Sequence, residues 1–151
     1  MKLINEMRLT FPSNSSNESF SRVAVAAFAA ALDPTVEEIS DIKTAVSEAV
    51  TNSIVHGYRN TIGMVYIWAK IFEGRRIRIK IRDKGCGIAD VQQAMEPCFT
   101  TAPEEERAGL GFAVMESFMD KLTFHSSPGK GTIVTLEKIL STRDEENTKQ
   151  R

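Results

Sequence analysis

Arg76-Ile77-Arg78-Ile79-Lys80-Ile81-Arg82-Asp83-Lys84-Gly85-Cys86-Gly87 (RIRIKIRDKGCG) is the stretch that decides the fold. Its first eight residues alternate with period two, so Ile77, Ile79, Ile81 and Asp83 fall on one face of a strand. Three isoleucines make that face the buried one, and Asp83 then points inward at the strand's end. A buried carboxylate without a partner is costly, so something must donate to it. Two readings are open. Asp83 caps the turn that Gly85 and Gly87 support, or it accepts from a ligand's exocyclic amine while the two glycines let backbone approach that ligand closely.

Working outward, Met64 to Phe72 (MVYIWAKIF) reads as the neighbouring strand, joined through a tight Glu73-Gly74 turn. Further upstream, Asn5 to Phe11 alternates as a first strand, and PSNSSNES offers N-caps for a helix running to about Leu32. That helix is apolar on every side from Val23 to Leu32, which one core-facing stripe does not account for. It is either a central core helix or a helix with part of its surface against a second subunit. Asp33-Pro34 breaks the chain, and Thr35 or Asp33 caps a second helix reaching His56, with Gly57 as its C′ residue. The core stripe of this helix is Val36, Ile39, Ile42, Val46, Ala49, Val50 and Ser53.

Downstream come a short helix near Ala89 to Met95, the polar segment PCFTTAPEEERAG, and a helix over Leu110 to Met119. Strands Leu122 to Ser126 and Thr132 to Lys138 follow, linked by SPGKG. Strands grouped beside helices give an α+β fold, a two-layer α/β sandwich whose mixed, mostly antiparallel sheet is covered on one face by helices. Residues 1–140 read as one domain and 141–151 (STRDEENTKQR) as a charged, frayed tail.

A net charge of −1 gives no general affinity for nucleic acid or anionic lipid, and no basic face is visible, so neither nucleic acid nor membrane is expected as a partner. Cys86 and Cys98 sit in loops without CxxC or His-Cys spacing, which fits a reducing cytoplasm and neither a disulfide framework nor a zinc site. The start, MKLINEMRLTF, has no apolar run fit for a signal peptide. The run from Val23 to Leu32 is about half the ~20 residues that a bilayer span needs.

Candidate chemistry collects in three places. Glu48, Asn52 and His56 lie at i, i+4 and i+8 of the second helix and share one stripe, flanked by Ala45 and Ala49. This is either a solvated polar face or a site in which the carboxylate accepts a proton and the amide oxygen, a hard neutral ligand, holds Mg²⁺. Thr132 shares a face with Val134 and Leu136, so its hydroxyl looks into the interlayer space, unless it is there for strand propensity alone. Arg107-Ala108-Gly109-Leu110-Gly111-Phe112 is a GxG opening a helix, whose backbone N–H groups would make an anion site and, with Arg107, a phosphate-binding lid.

Glu48-x-x-x-Asn52, Asp83-x-Gly85-x-Gly87, Gly109-x-Gly111 and Gly131-Thr132 occur in the order and spacing of the Bergerat (GHKL) ATP-binding fold of histidine-kinase ATPase domains and gyrase. Beyond those motifs, NESFSRV, LDPT, IKTAVSEAVTN, HGY, PCFTTAPEEERAGLGF and MESFMD closely resemble the sporulation anti-sigma F factors, a family of serine-protein kinases. The resemblance covers about residues 5 to 139. It implies a homodimer that binds a sigma factor of the sigma F type in the ATP state and uses ATP-Mg²⁺ to phosphorylate a serine of an anti-anti-sigma protein. Glu48 would be the general base and Asn52 the Mg²⁺ ligand. Asp83 would take the adenine amine, helped by Thr132, Gly85 and Gly87, with His56 also near the nucleotide. Thr100, Thr101, Arg107, Gly109, Leu110 and Gly111 would hold phosphates, and ADP would leave the lid without its γ-phosphate contact. Glu18 and Arg22 match the family's partner-docking helix, although their i, i+4 spacing also suits an intrahelical ion pair. Ala102 departs from the basic residue that often follows the two threonines.

A general-stress anti-sigma kinase would run the same chemistry on a different sigma factor. A sensor histidine-kinase ATPase domain would need a helical segment with a phosphoacceptor histidine, and His56 and His125 both lie inside the fold. A pure binding module would hold nucleotide and partner without catalysis.

Overall fold

The strand that carries Asp83 is the middle strand of a five-stranded sheet in the computed structural model, which describes residues 1–87 and 111–141. The strands are β1 (Leu3–Pro12), β2 (Met64–Phe72), β3 (Arg76–Asp83), β4 (Lys121–Ser127) and β5 (Gly131–Ile139), in spatial order β1-β2-β3-β5-β4. Every pairing among them is antiparallel. Among the described residues, three α-helices accompany the sheet, α1 (Ser16–Ala29), α2 (Val36–Asn52) and α3 (Phe112–Phe118). The short helix expected near Ala89 to Met95 and the tail beyond Ser141 lie outside the described residues.

Register follows from the alternation. Ile77, Ile79 and Ile81 face Ile71, Ala69 and Ile67 across the β2–β3 ladder, and all six are buried. The hairpin turns on Gly74 (φ 78) and Arg75 (φ 59), one residue later than Glu73-Gly74, because two central residues with positive φ match the twist of the flanking strands. Helix α2 lays Ile42, Ala45, Val46, Ala49 and Val50 on this surface, each fully buried. Val36 does not join that stripe: it is the first helical residue and is 86% exposed.

Thr35 and not Asp33 starts α2. Its hydroxyl accepts from the Glu38 N–H at 2.9 Å, and the Glu38 carboxylate accepts from the Thr35 N–H at 3.0 Å. Asp33 instead takes a left-handed conformation (φ 52) that closes a 3-10 turn over Ala30–Leu32, so α1 itself stops at Ala29. The other oxygen of Glu38 accepts from Ser141 N–H at 2.8 Å, and Arg75 Nε donates to the Ser141 carbonyl at 2.9 Å. Ser141, read as the first tail residue, is therefore tied to the domain.

Helix α1 buries Ser21, Val25 and Ala29 and leaves Phe20 and Val23 more than half exposed. It is not a core helix enclosed on all sides among the described residues. The outer face of the sheet also departs from expectation. Arg76, Arg78, Lys80 and Arg82 point away from the helices, beside Arg8 and Lys70. A groove of about 400 Å³ there is lined by Arg8, Tyr66, Trp68, Lys80, Arg82 and Lys84, among others. The Trp68 ring has Lys70 Nζ at 3.9 Å and the Arg8 guanidinium at 4.4 Å from its centroid. A basic face thus exists in a chain of net charge −1, because period two gathers cations that composition averages away. No helix among the described residues is long and apolar enough to cross a membrane.

Candidate functional site

At one end of the sheet, the last residue of β3 meets the end of α2 in a narrow cleft. Asp83 lies there 3% exposed. Ser53 Oγ donates to its Oδ2 at 3.0 Å and Gly85 N–H to its Oδ1 at 3.0 Å. Burial pushes the Asp83 carboxyl above its ordinary range, while the bonds from Gly85, Ser53 and the Thr132 backbone pull the other way. The turn-capping reading is thereby present in the molecule, through Gly85. It leaves the ligand reading open, because a carboxylate has about four acceptor positions and neutral donors do not exhaust them.

Two turns are pressed together beneath this carboxylate. A Cβ on Gly57 would lie 2.8 Å from Asp83 Cγ, and one on Gly85 would lie 2.0 Å from the Gly57 carbonyl oxygen. Cys86 N–H donates to that same oxygen at 2.9 Å. Gly57 is therefore required for close approach and does not serve as a left-handed C′ residue; its φ is not positive. The α-helical pitch ends at Asn52, and Ser53–Gly57 form a π-helical turn. That wider turn takes His56 off the stripe of Glu48 and Asn52: His56 is buried, whereas the other two are half-buried. His56 still lines the cleft, with Asn52, Ser53, Asp83, Gly87 and Thr132.

Phe112 and Phe124 form an apolar wall, edge to face with ring centroids 4.4 Å apart. Thr132 is half-buried, its hydroxyl 2.9 Å from that of Ser126. Glu48 lies beside the start of α3: Gly111 has φ 65, and a Cβ there would fall 2.2 Å from Glu48 Oε2. Burial raises the Glu48 pKa, and the Glu18 carboxylate raises it further. The fold so brings Glu48, Asn52, His56, Asp83, Gly85, Gly87, Gly111 and Thr132 to one end of the sheet. Glu18 and Arg22 lie on α1, paired at 3.8 Å, and Glu18 accepts from the Ser47 hydroxyl of α2. Thr100, Thr101, Ala102, Arg107, Gly109 and Leu110 lie outside the described residues.

Two residues of the site were not anticipated. The sequence places Ser53 in the core stripe of α2, and its signal is a hydroxyl at a core position opposite an inward carboxylate. Tyr58 carried none: its hydroxyl donates to the Met64 carbonyl at 2.6 Å and accepts from Lys84 N–H at 2.7 Å, buttressing the turn after β3.

The donor set fits a purine nucleotide. Asp83 retains acceptor capacity for an exocyclic amine, the phenylalanine wall offers a flat ring apolar surface, and Asn52 offers one hard neutral oxygen for a hydrated divalent cation. This is the arrangement of a histidine kinase-like ATPase domain, and residues 11–138 match that family. The catalytic domain of histidine kinase ThkA superposes with a TM-score of 0.54 at 12% identity, over 91% of this chain and 97% of that one. The RsbU and RsbW domains of a Mycobacterium tuberculosis protein superpose with a TM-score of 0.67 at 19% identity, over 92% of this chain and a third (33%) of that longer one. Both likenesses speak to the fold alone. In sequence, the anti-sigma F factor of Thermoanaerobacter sp. (strain X514) is 59% identical over 140 residues, 93% of this chain and 97% of its own length. That of Clostridium acetobutylicum is 54% identical over 136 residues, 90% and 94% of the two chains. The chain belongs to the anti-sigma F factor family of histidine kinase-like ATPase domains.

Proposed function

We propose that this chain is a cytoplasmic anti-sigma factor and protein serine kinase, working as a homodimer, which holds a sigma F type factor inactive in its ATP state and phosphorylates a serine of an anti-anti-sigma protein. The observation that carries the reading is Asp83, buried in a cleft that Asn52 also lines and, among the described residues, held by the neutral donors Ser53 and Gly85. Asp83, with Thr132 and the glycine turn, selects adenine. Asn52 holds Mg²⁺ through its amide oxygen. Bound ATP-Mg²⁺ supplies the phosphoryl group that passes to the serine oxygen, with ADP as the leaving group. Glu48 accepts the proton of that serine hydroxyl, and its raised proton affinity suits a base. His56 closes the buried side of the cleft. Gly111, together with Thr100, Thr101, Arg107, Gly109 and Leu110, receives the phosphates, and Glu18 and Arg22 meet the partner. Nucleotide state would then govern release of the sigma factor.

Incubating the chain with γ-labelled ATP and an anti-anti-sigma protein tests this. The expected product is phosphoserine, reduced ~10²–10⁴-fold by Glu48→Gln while ATP still binds. Phosphohistidine on either protein, or full activity in Glu48→Gln, would overturn the assignment.

A further inference from the structure

Helix α1 is joined to the helix that carries Glu48 by a polar bridge that neither the cleft nor the core requires. Ser47, the residue before Glu48, donates its hydroxyl to Glu18 Oε1. Glu18 is also paired with Arg22 one turn along α1, and its side chain is only 22% exposed. Arg22 Nε is buried and has no hydrogen-bond partner among the described residues. An orphaned guanidinium donor beside a carboxylate already shared with another helix is an incomplete network, which an incoming acceptor can complete at the expense of Glu18.

We propose that Glu18 is a positioning residue for phosphoryl transfer: bridged to Ser47, it couples α1 to Glu48, and a partner carboxylate or carbonyl that draws Arg22 away from Glu18 changes the state of that base. The inference rests on Glu48 being the base. Among the described residues, the Glu18 carboxylate adds to the effect of burial on Glu48. From the other packed elements, α3 turns Phe112 and Met115 inward and leaves Glu116 exposed, and Asp83 of β3 faces the cleft beside Asn52. With Arg22 engaged elsewhere, the Glu18 charge is less compensated and Glu48 becomes a stronger base.

Glu18→Gln keeps an oxygen that can accept from Ser47 and removes the charge; Ser47→Ala removes the bond and keeps the charge. In the full chain without partner, the Glu48 carboxyl carbon is followed by ¹³C NMR through an acid titration. The Glu48 midpoint should fall in Glu18→Gln and move less in Ser47→Ala. In the kinase assay, kcat of Glu18→Gln should drop about threefold to tenfold at neutral pH with the acid limb shifted to lower pH and KM for ATP unchanged. A Glu48 titration in Glu18→Gln that coincides with wild type overturns the coupling. Absence of any transfer by the wild type overturns the kinase reading instead, and the NMR titration decides the coupling independently of it.

Discussion

Among the described residues the two faces of the sheet each bury one carboxylate, and they treat it in opposite ways. On the helix-covered face Asp83 is 3% exposed and meets a serine hydroxyl and backbone N–H groups. On the open face Glu137 is 6% exposed beneath the arginines of β3, paired with Arg76 and, at 3.5 Å, with Arg78. Burial pushes both pKa values up. For Asp83 that push prevails; for Glu137 the two guanidinium groups outweigh it and hold the carboxyl below its usual range. Depth does not distinguish the two, since they are almost equally deep. Neutralisation does. Glu137 is answered by the protein's own cations, whereas Asp83 is oriented by neutral donors and left for something else to answer.

The comparison breaks most severely if the faces are exchanged. Ile79→Arg places a charge at a fully buried position on the core face and should cost more than about 4 kcal/mol, leaving little folded protein. Lys80→Ile, one residue along on the open face, should stay within about 0.5 kcal/mol. Urea midpoints measure both, and equal losses would show that the open face is as closely packed as the core.

Next come the two carboxylates. Asp83→Asn should weaken ATP binding roughly 10- to 150-fold, as expected for a lost charge-assisted hydrogen bond of ~1.5–3 kcal/mol, in a protein that still folds. Calorimetry that finds unchanged ATP affinity would remove the adenine assignment. Glu137→Gln should do the reverse, costing about 1.5–3 kcal/mol of stability with ATP binding intact.

A sharper form of the contrast is the sign of the pH dependence. Glu137 has a folded pKa below its unfolded value, so its stabilisation is present above the unfolded pKa and is lost as pH falls through the folded one. Asp83 has a folded pKa above its unfolded value, so the nucleotide-free protein gains stability from it as pH falls through that window. Urea unfolding on the acid side should therefore show a shallower loss for Glu137→Gln and a steeper one for Asp83→Asn; parallel profiles would contradict the contrast. The smallest effect belongs to Arg8→Ala, which removes one cation from the Trp68 ring and should cost only ~0.5–1 kcal/mol in a thermal melt.

Much of the covered face was legible because period two has no slack. RIRIKIRD determined the strand, its buried side and the inward Asp83, and Thr132 followed by the same rule. Extrapolating the α-helical pitch failed where the pitch changes. His56 was assigned to the stripe of Glu48 and Asn52, and Gly57 to a helix cap, because no residue from Ser53 to Gly57 announces a π turn. Val36 failed for a related reason, since periodicity cannot say where a helix begins to overlap the sheet. The basic face was invisible for a different cause: its arginines and lysines were counted against the acids of the whole chain, of which Glu6 and Glu137 stand on that face. The same alternation that revealed Asp83 held that information in its other phase.

The seam between Gly57 and Gly85 has a consequence for how the sequence can drift. Neither position accepts a methyl group without displacing backbone or the Asp83 carboxylate, so both are constrained by packing before any selection on activity applies. In a screen of random variants for thermal resistance alone, with no nucleotide supplied, these positions should stand out as intolerant for lack of space, whereas Gly74, with open space around a Cβ, is held only by its positive φ. The outline of the cleft would thus be recoverable from variants never assayed for turnover. A lineage that abandoned catalysis while keeping its thermal resistance would go on carrying the imprint of the site.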